Sequence, residues 1–145
     1  MKDTITAADE QQIVSAIKEA ETNTSGEIRV HIENTCDMEV LDRATQVFAY
    51  LHMHQTKLRN GVLFYVALKS HKFAVLGDAG INAVVPPNFW HDITNVVIGY
   101  FKEGKYAEGL QKGILMAGEQ LKAFFPHKGD SDINELQNDI SFGKD

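Results

Sequence analysis

Acidic and amide side chains collect after the predicted strands and in the C-terminal tail of this 145-residue chain. Three groups can be distinguished: Glu33, Asn34, Asp37 and Glu39; then Asp78; and last Asp130, Asp132, Asn134, Glu135 and Asp139. Hard cations such as calcium bind about six to eight oxygen atoms from carboxylates, amides, backbone carbonyls and water. The pattern therefore predicts a divalent-cation site, for calcium or another ion such as magnesium, with five candidate ligands: Glu33, Asp37, Asp78, Asp132 and Glu135.

We expect the loops after the first and third strands to approach one another and to share one or two cations, with the tail completing the ligand shell. This follows from the tendency of open α/β sheets to bind ligands at the carboxyl ends of their strands. The alternative is structural: Glu39 and Asp42 act as acids at a helix N-terminus, Asp78 caps a turn, and the tail acids are solvated.

The tail also has a partial likeness to a calcium-binding loop. Asp130, Asp132 and Asn134 have the alternate spacing with which an EF-hand loop begins. The sixth position is Glu135 instead of glycine, and the twelfth is Ser141 instead of glutamate. No EF-hand is therefore predicted.

Other catalytic chemistry has little support in the sequence. The six histidines have no metal-ligand spacing, and there is no phosphate-binding glycine loop or nucleophile elbow. Arg29, Arg43 and Arg59 are the side chains that would bind phosphate near a metal, although each is more often a surface or salt-bridging residue. No catalytic residue is predicted.

The elements that must position these side chains are predicted from hydrophobic periodicity. The continuous apolar run Val62 to Leu68 is typical of a central strand covered on both faces. Phe73 to Leu76 follows as its hairpin partner. Glu27 to Glu33 alternates apolar and polar residues, which predicts a strand nearer an edge. The apolar residues at the end of the tail predict a further edge strand.

Four helices are predicted: Thr6 to Glu21, Val40 to about Lys57, one capped by Asn88 and ended by Gly104, and Tyr106 to Phe125. A strand, a helix and a second strand in succession predict two parallel strands joined by a crossover. The fold class is thus α/β: a three-layer α/β/α sandwich on a small mixed sheet of three to four strands. We expect one domain over residues 1–126 and a polar tail over 127–145 that packs on or near it.

Composition restricts the partners and the location. The formal net charge is −6 and no run of Lys or Arg exceeds two, so nucleic acid is not an expected partner. Cys36 is the single cysteine and excludes an internal disulfide, which fits a reducing compartment. Neither an export signal nor a membrane span is recognisable, and we expect a soluble, cytoplasmic protein.

Three segments resemble a known family. They are TSGEIRV at Thr24 to Val30, RNGVLFYVAL at Arg59 to Leu68, and KFAVLGDAGI at Lys72 to Ile81. Their order and spacing are similar to those of the TPM domain, named for thylakoid lumen proteins, photosystem II repair proteins and modulators of acetylcholine receptors. The resemblance implies an α/β/α sandwich and an acidic crevice that holds divalent cations, calcium in particular. Weak phosphatase activity is attributed to some members.

The chain departs from the family pattern at two positions. Many relatives have Asp-Asn-Gly where this chain has Arg59-Asn60-Gly61, and many have Gly-Tyr-Gly where it has Gly77-Asp78-Ala79-Gly80. The expectation is a stand-alone, bacterial-type TPM domain that binds divalent cations and has a regulatory or protein-interaction role with an unidentified protein partner. The alternative is a weak metal-dependent phosphatase.

Overall fold

The computed structural model describes residues 5–127 and 135–143. Helices and strands alternate along the first half of the chain, and helices dominate the second half. The elements are α1 (Ala7–Ala20), β1 (Glu27–Glu33), α2 (Val40–Tyr50), β2 (Gly61–Ala67), β3 (Lys72–Gly77), α3 (Ala79–Asn82), α4 (His91–Lys102), α5 (Tyr106–Leu121) and β4 (Ser141–Phe142). The predicted α/β class with a small mixed sheet is confirmed.

The four strands form one sheet in the order β3-β2-β1-β4. β1 is parallel to β2, with Glu27 opposite Gly61 and Glu33 opposite Ala67. β2 and β3 form the predicted antiparallel hairpin, in which Gly77 lies opposite Val62. β4 adds a short parallel strand beside the end of β1. The expectation that β1 is nearer an edge than β2 holds for Glu27 to Val30 in the described part of the chain, and β4 covers only His31 and Ile32.

Each face of the sheet is covered by helices. The larger core joins α1, α4 and α5 to one face, which includes Phe64 and Val66 of β2. The smaller core packs α2 against the opposite face, which includes Leu63 and Tyr65. All seven residues of β2 are buried. The continuous apolar run therefore predicted a doubly covered strand correctly.

Helix ends differ from the sequence predictions where the backbone changes conformation. α2 ends at Tyr50, well before Lys57, because His52 has a left-handed backbone (φ 58°) and a 3-10 turn follows at Met53–Gln55. This turn brings the chain back to the start of β2. α1 begins as predicted: the Thr6 hydroxyl accepts a hydrogen bond from the Asp9 N–H, and the Asp9 carboxylate accepts one from the Thr6 N–H.

Within the described residues, no helix combines the length and the hydrophobicity that a membrane span requires.

Candidate functional site

The acids that follow β1 and β3 lie at opposite ends of the sheet. Asp78 follows β3 and its N–H donates to the Gly61 carbonyl, at the entrance of β2. Glu33 is the last residue of β1 and lies opposite Ala67, at the exit of β2. The second strand of a hairpin returns along the first, so its exit is beside the entrance of its neighbours. The hypothesis that the loops after the first and third strands share a cation is therefore wrong.

Glu33 is buried and its carboxylate is fully occupied. The Arg43 guanidinium donates two hydrogen bonds to it, from Nε to Oε2 at 2.8 Å and from Nη2 to Oε1 at 2.9 Å. The Tyr65 hydroxyl donates to Oε2, and His31 Nε2 lies 3.0 Å from Oε1. The His31 and Tyr65 rings are stacked, with centroids 5.9 Å apart. Glu33 is thus the centre of a buried polar network.

This network fixes the ionisation of its members. Burial alone would raise the pKa of Glu33, but hydrogen bonds from Arg43, Tyr65 and His31 outweigh it and lower this pKa to about 2. Burial lowers the pKa of His31, although the neighbouring Glu33 opposes the shift. A neutral His31 donates from Nε2 to Glu33 and accepts at Nδ1 from the Ser141 hydroxyl, 2.9 Å away on β4.

The remaining acids of this loop belong to the surface. Glu39 is the N-cap of α2 and accepts hydrogen bonds from the N–H groups of Leu41 and Asp42. It therefore has the structural role that the alternative reading of the sequence gave it. Asp37 lies in the exposed part of the loop between β1 and α2.

Asp78 is held by an arginine that also departs from the family pattern. Arg59 Nε and Nη2 each donate to the Asp78 carboxylate at 2.8 Å, and the Ala79 N–H donates to Oδ1 at 2.7 Å. Asp78 is buried and caps the short α3. The two departures from the family pattern are thus one ion pair. A cation at Asp78 would have to compete with the Arg59 guanidinium, which binds both carboxylate oxygens.

A third acidic group pairs Glu27, the first residue of β1, with Glu135. Glu27 Oε1 accepts the N–H groups of Glu135 at 2.5 Å and Leu136 at 2.7 Å. The Glu135 carboxylate accepts the Lys57 N–H at 3.1 Å. In the described part of the chain, neither carboxylate has a lysine or arginine partner within 4 Å.

Glu27 differs from Glu33 in the direction of its pKa shift. Glu27 is only 4% exposed. Burial, reinforced by the negative charge of Glu135, raises the pKa of Glu27 to about 7, although the two backbone N–H groups oppose the shift. A buried carboxyl group that lacks a countercharge favours its protonated form. In the residues that the structure describes, no lysine or arginine stabilises the ionised form of Glu27.

The three acidic groups differ in how well they fit a divalent cation. Glu33 and Asp78 fit poorly, because an arginine fork occupies both oxygens of each carboxylate. Glu27 and Glu135 fit better, since neither carboxylate has a lysine or arginine partner in the part of the chain that the structure describes. Among the described residues, no group of three or more Asp, Glu, His or Cys side chains is arranged to hold a metal. The predicted ligand Asp132 lies outside the described residues.

Sequence reasoning found Glu135 but missed Glu27. Glu27, Arg29, His31 and Glu33 alternate along β1 and therefore share the α2 face of the sheet. Glu27, His31 and Glu33 are buried on this face. The signal in the sequence was that α2 follows this strand and can cover its polar face, and buried polar groups require partners. The alternation was instead interpreted only as a strand nearer an edge of the sheet.

Fold and acidic groups together define a class: a small α/β/α sandwich with acidic side chains buried at both ends of its parallel strands. The family model described as the TPM domain matches residues 1–120, and the chain belongs to this family. The resemblance seen in the three sequence segments is therefore confirmed at the level of the family.

Solved structures support this assignment. The chain is similar to the NMR structure of the BA42 protein from the psychrophilic bacterium Bizionia argentinensis, with 50% identity, a TM-score of 0.90, and coverage of 96% of this chain and 95% of that one. The N-terminal domain of a P. gingivalis protein has 20% identity and a TM-score of 0.69, with 86% and 81% covered. The N-terminal domain of Corynebacterium glutamicum cg2496 has 12% identity and a TM-score of 0.65, with 99% and 82% covered. The last two show the fold alone. No curated protein matches the chain.

Proposed function

We propose that this bacterial-type TPM domain binds a divalent cation, calcium in the first instance, between Glu27 and Glu135, and that the bound ion serves a regulatory or protein-binding role. The observation that carries this proposal is the buried Glu27 carboxyl group, which faces the Glu135 carboxylate and, among the described residues, has no lysine or arginine partner within 4 Å. Carboxylate oxygens are preferred ligands of calcium and magnesium. Backbone carbonyls and water would supply the remaining ligands.

The exposure of the two carboxylates suits reversible binding. Glu135 is exposed whereas Glu27 is buried, so an ion would reach the pair from solvent on the Glu135 side. An ion that binds only the native state stabilises it in proportion to the logarithm of its concentration. Cation binding is therefore expected to raise the melting temperature in a concentration-dependent way.

The regulatory role rests on what Glu135 is attached to. The Glu135 and Leu136 N–H groups bind Glu27 at the start of β1, and β4 pairs with His31 and Ile32 near its end. The segment 135–143 thus contacts β1 at both ends. A cation shared by Glu27 and Glu135 would hold the segment 135–143 against β1. Loss of the cation would free this segment and change the surface available to a partner protein. Cytoplasmic location remains part of the proposal.

Isothermal titration with calcium and then magnesium, after treatment with EDTA, tests the site. We expect Glu27→Gln and Glu135→Gln each to weaken calcium binding at least about tenfold, since each removes one of two charged ligands. Asp37→Asn is the matched control, because it removes a predicted ligand at the opposite end of β1. Binding that survives both glutamine substitutions but is lost in Asp37→Asn would reject the proposed site.

The alternative activity, a weak metal-dependent phosphatase, stays a prediction. Arg43 and Arg59 are both paired with carboxylates, which leaves them unsuited to neutralise a phosphoryl group. An assay with a generic phosphomonoester, with and without calcium or magnesium, tests the activity. Metal-dependent turnover that is lost in Glu27→Gln would establish it.

A further inference from the structure

The third arginine of the chain differs from the other two. Arg43 binds Glu33 and Arg59 binds Asp78, each through two hydrogen bonds. In the described part of the chain, Arg29 has no carboxylate within 4 Å, and its buried Nε has no hydrogen-bond partner. Guanidinium groups carry five N–H donors, and leaving a buried one unsatisfied is costly.

Arg29 lines a cleft of about 650 Å³. The cleft lies between the C-terminal end of α2, the turn that follows it, and the segment 135–137. This volume falls within the range of about 300 to 1,000 Å³ that is usual for small-molecule sites. Besides Arg29, the wall offers the polar side chains of His52, Gln55 and Gln137. The cleft therefore places the Arg29 guanidinium, one buried N–H of which has no partner among the described residues, beside a space large enough for a ligand.

Charge and shape around Arg29 define the class of ligand. Glu135 lines the cleft and Asp139 acts electrostatically on Arg29, so the positive potential is limited and disfavours a dianion such as a phosphate monoester. Planar carboxylates match the guanidinium fork with two parallel hydrogen bonds. Tyr50, Leu51 and Leu136 add apolar surface to the wall.

From this arrangement we propose that the cleft is a second ligand site, which binds a small organic carboxylate: the carboxylate pairs with Arg29, and an apolar body packs against Tyr50 and Leu51. This site is separate from the proposed cation site and does not require an ion. Glu135 borders both, with its carboxylate oxygens directed to the Lys57 N–H and Glu27. The test is therefore made in EDTA and with Arg29 variants that leave Glu27 and Glu135 unchanged, so that the two proposals can fail independently.

Titration of ¹⁵N-labelled protein with phenylacetate in EDTA, followed by amide chemical shifts, tests the proposal. We expect the largest shifts at residues 29, 50–56 and 135–137. Phenylacetamide, the neutral analogue, should bind at least about tenfold more weakly, because it lacks the charge that strengthens hydrogen bonds to arginine. Phenyl phosphate should also bind more weakly than phenylacetate.

Substitutions locate the interaction. Arg29→Met should weaken phenylacetate binding at least about tenfold, whereas Arg29→Lys, which keeps the charge but not the fork, should weaken it several-fold. Lys112→Met, an exposed cation on α5, is the control and should bind as the wild type does. If Arg29→Met fails to fold, as judged by circular dichroism, phenylacetate binding by Arg29→Lys is compared with that by the wild type instead.

Three outcomes would overturn the proposal: equal binding by the wild type and the Arg29 variants, no binding of phenylacetate at millimolar concentration, or tighter binding of phenyl phosphate.

A tripeptide that ends in phenylalanine tests whether the carboxylate belongs to a small molecule or to a peptide C-terminus. Tighter binding of this free-acid peptide than of phenylacetate, together with no binding of its amide, would assign the site to a peptide C-terminus and reject the small-molecule ligand.

Discussion

The two ends of β1 carry the same residue type on the same face of the sheet, yet their chemistry is opposite. Glu33 has an arginine, a tyrosine and a histidine as partners, and its pKa falls to about 2. Glu27 has two backbone N–H groups and a second carboxylate, and its pKa rises to about 7. Both side chains are buried. The difference shows that available partners, more than burial, decide whether a buried acid is a structural anion or a candidate ligand.

The partners differ because different elements cover the two ends. α2 passes over the exit of β1 and places Arg43 against Glu33. The entrance of β1 is met by the segment 135–136, which brings the carboxylate of Glu135. Arg43 thus neutralises the Glu33 end of β1, whereas the described residues provide no lysine or arginine partner for Glu27 at the other end.

The largest change in stability is expected at the end of β1 where Arg43 neutralises Glu33. Arg43→Met leaves Glu33 buried without its guanidinium and should lower the free energy of unfolding by about 3 kcal/mol. Urea denaturation at pH 7 measures this change. The double variant Arg43→Met with Glu33→Gln should recover much of the loss, because no uncompensated charge remains. Unchanged stability in the single variant would contradict the account of this end.

Acid should act on the same ion pair. The folded pKa of Glu33, about 2, is below its ordinary value of 4.5, so the native state binds fewer protons than the unfolded state between these values. The contribution of ionised Glu33 to the free energy of unfolding is complete above pH 4.5 and is lost as the pH falls towards 2. We expect it to account for about 2 kcal/mol of the stability lost in this interval. Glu33→Gln should flatten this part of the curve, and a variant with the slope of the wild type would refute the assignment.

A smaller effect, with the opposite sign, is expected at the entrance of β1. In EDTA at pH 8, Glu27→Gln removes a buried charge and should raise the free energy of unfolding by about 1 kcal/mol. Asp37→Asn is the matched control, because Asp37 is an exposed acid in the loop between β1 and α2. Destabilisation by Glu27→Gln comparable to that of Arg43→Met would remove the contrast between the two ends.

The smallest change in stability is expected for the ion pair between Arg59 and Asp78. The Arg59 side chain is 48% exposed, so solvent screens its attraction to Asp78. Arg59→Met should lower the melting temperature less than Arg43→Met does. Thermal unfolding of both variants in one buffer makes the comparison, and the reverse order would contradict it.

Most of the fold could be predicted from the sequence, because its signals are local. Seven consecutive apolar residues predicted a doubly covered strand, and the hairpin and the parallel crossover followed from order and spacing. The end of α2 was missed because His52 adopts a left-handed conformation that no glycine signals. Element type was thus more predictable than element length.

The acidic groups could be predicted only as residue types. Whether Glu33 is a ligand depends on Arg43 and Tyr65, which reach it from two other elements. The Arg59–Asp78 pair likewise joins residues 19 positions apart. Such pairings arise from tertiary packing and produce no periodic pattern in the sequence. The antiparallel course of β3, already implied by the hairpin, was sufficient to exclude a shared site for Asp78 and Glu33.

The most direct test of a cation between Glu27 and Glu135 is paramagnetic broadening of the amide signals of ¹⁵N-labelled protein by a small amount of manganese, which substitutes for calcium at oxygen-rich sites. The account predicts selective loss of the amide signals of Glu27, Gly61 and Leu136, and full recovery on addition of excess calcium. Signals around Glu33 and Asp37 should remain sharp. Broadening centred on the loop between Glu33 and Glu39, with Glu27 and Leu136 unaffected, would contradict the proposed position of the cation.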